Sequence, residues 1–170
     1  ETNLALSLAA SALRIEAPIP GQRAVGIEVP NRKAADVRLH GILTSKQWKN
    51  SHQPLAFAVG KDISGDPVVC ELNKMPHLLV AGQTNSGKSV MINTLLTSLL
   101  YRNSPSEMKL ILVDPKQVEM APYEDIPHLL TPVINDPEKT ISALKWAVNE
   151  MERRYKLLAD EKIRDIKTYN

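Results

Sequence analysis

Hydrophobic positions along the chain change spacing several times, and each change marks an element. Residues 3–13 are rich in good helix formers and hold neither Gly nor Pro, which predicts a helix. Ile15, Ala17 and Ile19 then alternate as in a strand, and Pro20-Gly21 signals a turn. Val25, Ile27 and Val29 alternate again before Pro30-Asn31. Helix, strand, turn and strand make a small α+β module. Val37 and Leu39 are read as a further short strand, and Ser45 as the N-cap of a short helix through Trp48. The polar run Lys49-Asn-Ser-His-Gln-Pro54 reads as a linker. The expected first domain is therefore residues 1–50.

From residue 53 onward the pattern is different. Leu55–Val59 and Val68–Leu72 are short strand-like runs separated by the turn-rich segment 60–67. His77-Leu-Leu-Val-Ala81 is a compact apolar run, expected to be a strand, that ends at a Gly-containing loop. Residues 88–101 follow helical spacing, with Val90, Leu95, Leu96, Leu99 and Leu100 available for burial. Lys109-Leu-Ile-Leu-Val113 is almost wholly apolar, as in a strand of a parallel sheet covered on both faces. Strand, loop, helix and strand form a βαβ unit, so 53–170 is expected to be part of a larger α/β domain. No internal repeat or low-complexity tract interrupts it.

The last element carries the strongest helical signal. Asp136 suits an N-cap, Pro137 the first helical position, and Glu138 the positive end of the helix dipole. Ile141, Leu144, Val148, Met151, Tyr155 and Leu158 recur every three or four residues, which predicts an apolar stripe packed on a sheet. Glu150 and Arg154 can pair at i,i+4 on the watered side.

Composition narrows the function classes only a little. Of 170 residues 43% are hydrophobic and 24% charged, enough to bury a core without disulfide or metal. Cys70 is the one cysteine, so no internal disulfide forms; it is read as a small apolar residue of its strand in a reducing compartment. A net charge of +2 is too weak to argue nucleic-acid binding by itself. No apolar run is long enough to cross a bilayer and nothing at Glu1 resembles a signal peptide, so this region is expected to be cytoplasmic.

The chemistry is concentrated in Gly82-Gln83-Thr84-Asn85-Ser86-Gly87-Lys88-Ser89, which fits G-x-x-x-x-G-K-[ST]. Gly82 and Gly87 permit torsions and close approaches that a side chain blocks. Amides from about Asn85 to Val90, at the head of the following helix, can form an anion nest. Lys88 is the expected catalytic cation on the β- and γ-phosphates, and the Ser89 hydroxyl the expected Mg²⁺ ligand. Chance would produce such a string in about one chain in 100 of this length, and its position between an apolar run and a helix is the one the motif requires. No N-K-x-D tetrad follows, which favours ATP over GTP. Lys109–Asp114 has the form of a Walker B strand, yet equally that of the strand many such ATPases insert before it.

Several stretches are more specific than the loop itself. Ile15-Glu-Ala-Pro-Ile-Pro-Gly21, Val25-Gly-Ile-Glu-Val-Pro-Asn31 and Met75-Pro-His-Leu-Leu-Val-Ala-Gly82 are among them. Ser86-Gly-Lys-Ser89, Leu112-Val-Asp-Pro-Lys116, Ile126-Pro-His-Leu-Leu130 and Asn149-Glu-Met-Glu-Arg-Arg-Tyr155 continue the series to the closing Tyr169-Asn170. In this order they resemble the FtsK/SpoIIIE family of DNA translocases over essentially the whole chain. The resemblance implies an α domain followed by the N-terminal half of a RecA-like P-loop ATPase domain, its parallel sheet flanked by helices. It also implies ATP and Mg²⁺ as cofactors, double-stranded DNA as substrate, a hexameric ring, and a membrane anchor supplied only by segments outside this chain. Walker B and its catalytic Glu would then follow Asn170, leaving Asp114 on the intermediate strand. Asp114-Pro-Lys116 and Glu119 would stand near the nucleotide or a subunit interface, or serve structure alone.

Departures from that family matter. Asn85 stands where the family usually has Gly, and Asn is the non-Gly residue most tolerant of positive φ. A half-motor is expected not to translocate DNA alone. Related ring ATPases of conjugation or protein secretion, and a non-catalytic assembly fragment, are the alternatives; a small-molecule kinase is disfavoured because no Arg-rich lid follows. His77 and His128 are read as structural, and Lys33, Arg38, Lys46 and Lys49 as solvated.

Overall fold

The alternation at Ile15 and Ile27 does produce two strands. β1 (Arg14–Glu16) and β2 (Gly26–Glu28) pair antiparallel, with Ile15 opposite Ile27. Arg14 and Glu28 add an exposed ion pair of 3.7 Å across the register. The computed structural model of the chain describes residues 7, 13–19, 23–31, 33, 35–75 and 77–169. The helix expected at 3–13 and the Pro20-Gly21 turn lie almost wholly outside the described residues. Two compact units emerge, 1–38 and 39–170.

The second unit begins with α1 (Leu39–Leu43) and α2 (Lys46–Asn50). Leu39 thus opens a helix where a strand was expected. Ile42, three residues on, is 2% exposed, so the apolar spacing that wins here is helical. Ser45 caps α2 as expected, its hydroxyl accepting from the Trp48 amide at 3.2 Å. β3 (Ala56–Lys61) and β4 (Pro67–Glu71) form an antiparallel hairpin with a bulge at Val59. Its turn is held by Asp62, whose Oδ1 accepts from the amides of Ser64 and Asp66 at 2.9 Å each. Cys70 sits half-buried on β4 opposite Phe57. Both short helices pack on this hairpin.

α3 (Lys88–Arg102) lies against β3 and is pinned to it by side chains. Ser98 is fully buried; its hydroxyl accepts from the Ala58 amide at 3.1 Å and donates to the Thr94 carbonyl at 2.6 Å. Arg102 at the far end donates to the carbonyls of Ser51, Gln53 and Trp48, and its guanidinium lies 4.1 Å from the Trp48 ring centre. Leu96 and Leu99 are buried as their spacing demanded, whereas Val90 is 68% exposed.

The segment after α3 supplies a second layer. Leu110 pairs with Leu129 and Val113 with Ile134 as parallel bridges, joined by Leu110 N–H to His128 O and Asp114 N–H to Ile134 O, both 2.8 Å. Leu96 of α3, Leu112, Met120 and Tyr123 form one buried cluster there. His128 is structural as expected: its Nε2–H donates to the Asn103 carbonyl at 2.9 Å, and the residue is buried.

Two expectations fail, for the same physical reason. A strand exists through hydrogen bonds to a neighbour, and 77–81 has no ladder among the described residues; Leu79 is 88% exposed. Likewise Lys109–Val113 forms isolated bridges, not a covered strand. α4 (Pro137–Asp160) is a helix from its first expected residue, but no residue of it is buried. Leu144 and Tyr155 of its apolar stripe are 63% exposed each, so the expected packing on a sheet is absent here.

Local terms hold α4 instead. Asp136 Oδ1 accepts from the amides of Glu138 and Lys139 at 2.8 and 3.0 Å. Glu150 accepts from both Arg153 and Arg154 at 2.7 Å, which holds its carboxyl down to about 2. With so little packing, the cap dominates the helix start. Asp136→Ala is expected to destabilise α4 by about 1 kcal/mol, read as lower helicity and earlier amide exchange over 138–142. A short α5 (Ile166–Tyr169) closes the chain. Among the described residues, no helix is long and apolar enough to cross a membrane.

Candidate functional site

The loop 82–87 turns sharply into the N-terminus of α3, and its torsions explain its residue types. Gly87, the N-cap, has φ 92°, and Asn85 has φ 61°. Asn takes that left-handed conformation at least cost after Gly, so the departure at this position keeps the turn. Gly82 leaves room for its neighbour: a Cβ there would overlap the Ser86 hydroxyl, which would have to turn aside. The Ser86 amide donates to the Gln83 carbonyl at 3.2 Å, closing the turn on itself. Gln83, Thr84, Asn85 and Ser86 are all exposed.

Lys88 bends back over this turn. Its ammonium donates to the carbonyls of Gly82 at 2.7 Å and Gln83 at 2.5 Å. Its recorded partners are therefore neutral oxygens, which phosphate oxygens can replace with a gain in charge pairing. The amides of Lys88, Ser89 and Val90 belong to the first turn of a 15-residue helix, where geometry leaves N–H groups without intrahelical acceptors. The exposed side chain of Val90 adds nothing to such a site; its amide does.

Ser89 points to a residue thirty positions away. Its hydroxyl donates to Glu119 Oε1 at 2.6 Å. A hydroxyl and a carboxylate so close are hard oxygen donors of the kind Mg²⁺ accepts beside phosphate oxygens and water, so these residues fit that ion. Glu119 is delivered by a loop wound around Asp114. The buried Asp114 carboxylate accepts from the amides of Met120 at 3.0 Å, Glu119 at 2.8 Å, Val118 at 3.0 Å and Lys116 at 3.2 Å. Those donors, Met120 foremost, hold its carboxyl below the ordinary range against the opposing effect of desolvation. With both oxygens so engaged, Asp114 organises its loop.

The resemblance leaves Glu119 near the nucleotide, at a subunit interface or in a structural role; its pairing with Ser89 is not legible in the sequence, since thirty residues and a helix separate the two. His77, His40 and His52 are exposed and do not join the loop.

Comparison with known proteins places this arrangement. Residues 38–170 match the FtsK/SpoIIIE family and residues 1–31 the FtsK alpha domain. The DNA translocase FtsK of Clostridium tetani (strain Massachusetts / E88) is 60% identical over 99% of this chain, which spans 23% of that relative. The DNA translocase SftA of Bacillus subtilis (strain 168) is 56% identical over 99% of the chain, which spans 18% of it. Among solved structures, the pCW3 conjugation coupling protein TcpA, in its monomer form with ATPγS, superposes with a TM-score of 0.64 at 28% identity. That match covers 99% of this chain and 45% of TcpA. An α/β chain carrying this loop, matched from end to end, belongs to the FtsK/SpoIIIE family.

Proposed function

We propose that the chain is part of an ATP-driven motor that moves double-stranded DNA in chromosome segregation and cell division. The observation carrying the reading is the loop 82–89 with its lysine folded over a left-handed turn at a helix N-terminus. Names of relatives at 56 and 60% identity support the DNA substrate.

In this reading Gly82, Gln83, Thr84, Asn85, Ser86, Gly87, Lys88, Ser89 and Val90 surround the triphosphate. Lys88 gives up two carbonyls for phosphate oxygens and stabilises charge as the terminal phosphoryl departs. First-turn amides of α3 hold the remaining oxygens. Ser89 would hold Mg²⁺, which when bound would neutralise phosphate charge during transfer. A carboxylate outside this chain orients the attacking water. The parallel bridges at Leu110 and Val113 support a RecA-like parallel sheet completed by further strands. Matches over 1–31 and 38–170 support a small α+β module ahead of the ATPase part. A hexameric ring and a membrane anchor are the assembly and location that go with this motor.

The test is ATP hydrolysis by the intact protein with and without linear duplex DNA. DNA is expected to raise the rate at least about tenfold, because a motor hydrolyses only while engaged with its track. Hydrolysis indifferent to DNA would overturn the substrate assignment. Similarity to TcpA favours a second reading, an ATPase of conjugation, and single-stranded DNA as the better stimulant would be its signature.

A further inference from the structure

Two independent chains of contact tie the segment after Asp114 to the first turn of α3. One is the hydrogen bond from the Ser89 hydroxyl to Glu119 Oε1, 2.6 Å. The other runs through Tyr123, whose hydroxyl donates to Asn93 Oδ1 at 2.7 Å, while Asn93 Nδ2 donates to the Ser89 carbonyl at 2.9 Å. Both ends of the segment are fixed. Asp114 gathers the amides of Lys116, Val118, Glu119 and Met120, and Met120 and Tyr123 are buried with Leu96 and Leu112. Gln117, at φ 55°, makes the tight turn that brings Glu119 round. A carboxylate on an exposed loop finds a hydroxyl thirty residues away by chance only if nothing holds it, and here the loop is held on both sides.

We infer that Glu119 is a positioning residue for the metal ligand Ser89. By accepting the Ser89 proton in a hydrogen bond, Glu119 turns the hydroxyl lone pairs outward to the cation and places a negative charge beside it. This rests on the nucleotide reading of the loop 82–89. Groups that orient a ligand from behind typically change metal affinity by about 10- to 100-fold when removed. Asp114 acts one step further back, by fixing the loop.

The experiment follows binding of a fluorescent ATP analogue to the intact protein, titrated with Mg²⁺ and repeated in EDTA. Glu119→Ala is expected to raise the half-saturating Mg²⁺ concentration by about tenfold or more and to leave the EDTA affinity within about twofold. Glu119→Gln, which keeps an acceptor oxygen without the charge, should fall between. In a Ser89→Ala background, Glu119→Ala should add little, because its effect passes through that hydroxyl. An unchanged Mg²⁺ requirement, a tighter one, or full additivity with Ser89→Ala would each overturn the inference. Lys88→Ala separates the two levels: if it leaves nucleotide binding intact, the loop reading itself fails. If it abolishes binding while Glu119→Ala changes nothing, only the role of Glu119 fails.

Discussion

Lys88→Ala in the intact protein is expected to lower ATP hydrolysis by about 100- to 1,000-fold, the loss seen when one preorganised donor to a developing negative charge is removed. The structure makes the substitution a clean one. Lys88 contacts the carbonyls of Gly82 and Gln83, and loss of those bonds frees an exposed turn without opening the core. Stability should therefore stay within about 0.5 kcal/mol of the parent, as for surface changes away from special features. Lys88→Arg should not rescue hydrolysis, since a planar guanidinium fork does not reproduce the compact ammonium charge that bridges the carbonyls of Gly82 and Gln83. The measurement is steady-state phosphate release at saturating ATP and duplex DNA, with a thermal melt alongside. Retention of hydrolysis within tenfold of the parent would remove Lys88 from the mechanism and with it the assignment of the loop.

What the sequence disclosed and what it hid follow from the range of the forces involved. Local chemistry was legible. Ser45 and Asp136 cap the helices their side chains announced, Glu150 pairs with Arg154, and Asn85 takes the positive φ its amide tolerates. These depend on residues within four positions, so composition at those positions decides them. Periodicity proved less secure where the partner surface matters. Residues 109–113 and 77–81 have strand composition, yet strand formation needs a neighbour to complete each hydrogen bond, and the neighbours recorded are two bridges. The stripe on α4 shows the same limit: its spacing fixed a helix with one apolar face, but not what would cover it. The turn at Gln117 and the reach of Glu119 to Ser89 lay beyond pattern altogether. They follow from how Asp114 collects four amides, and no periodicity encodes that. Family resemblance, carried by strings such as Met75–Gly82 and Asn149–Tyr155, reached further than periodicity because it reads tertiary constraints already solved in relatives.

The largest effect on stability is expected at Phe57. It is 1% exposed on β3, flanked by Ala56 and Ala58, each 0% exposed. This strand is the contact surface for both α1 and α3, and the Ser98 hydroxyl locks α3 to it through the Ala58 amide. Truncation to Ala removes an aromatic ring from a site whose neighbours are fixed by the hairpin register and by that buried hydrogen bond. Collapse into the space is therefore restricted, and the cost is the transfer of the ring plus the cavity it leaves, about 3–5 kcal/mol. Phe57→Leu, which keeps most of the volume, should cost less than about 1.5 kcal/mol. The check is urea denaturation of the chain followed by far-ultraviolet circular dichroism, comparing midpoints at constant slope. The functional consequence follows from geometry. α3 carries Lys88 and Ser89 on its first turn and Ser98 three turns later, so a loosened β3 frees the helix that aims both site residues. Phe57→Ala should accordingly weaken nucleotide binding even at temperatures where the chain is still mostly folded. Unchanged affinity in a variant destabilised by several kcal/mol would mean that the loop is oriented independently of the hairpin beneath it.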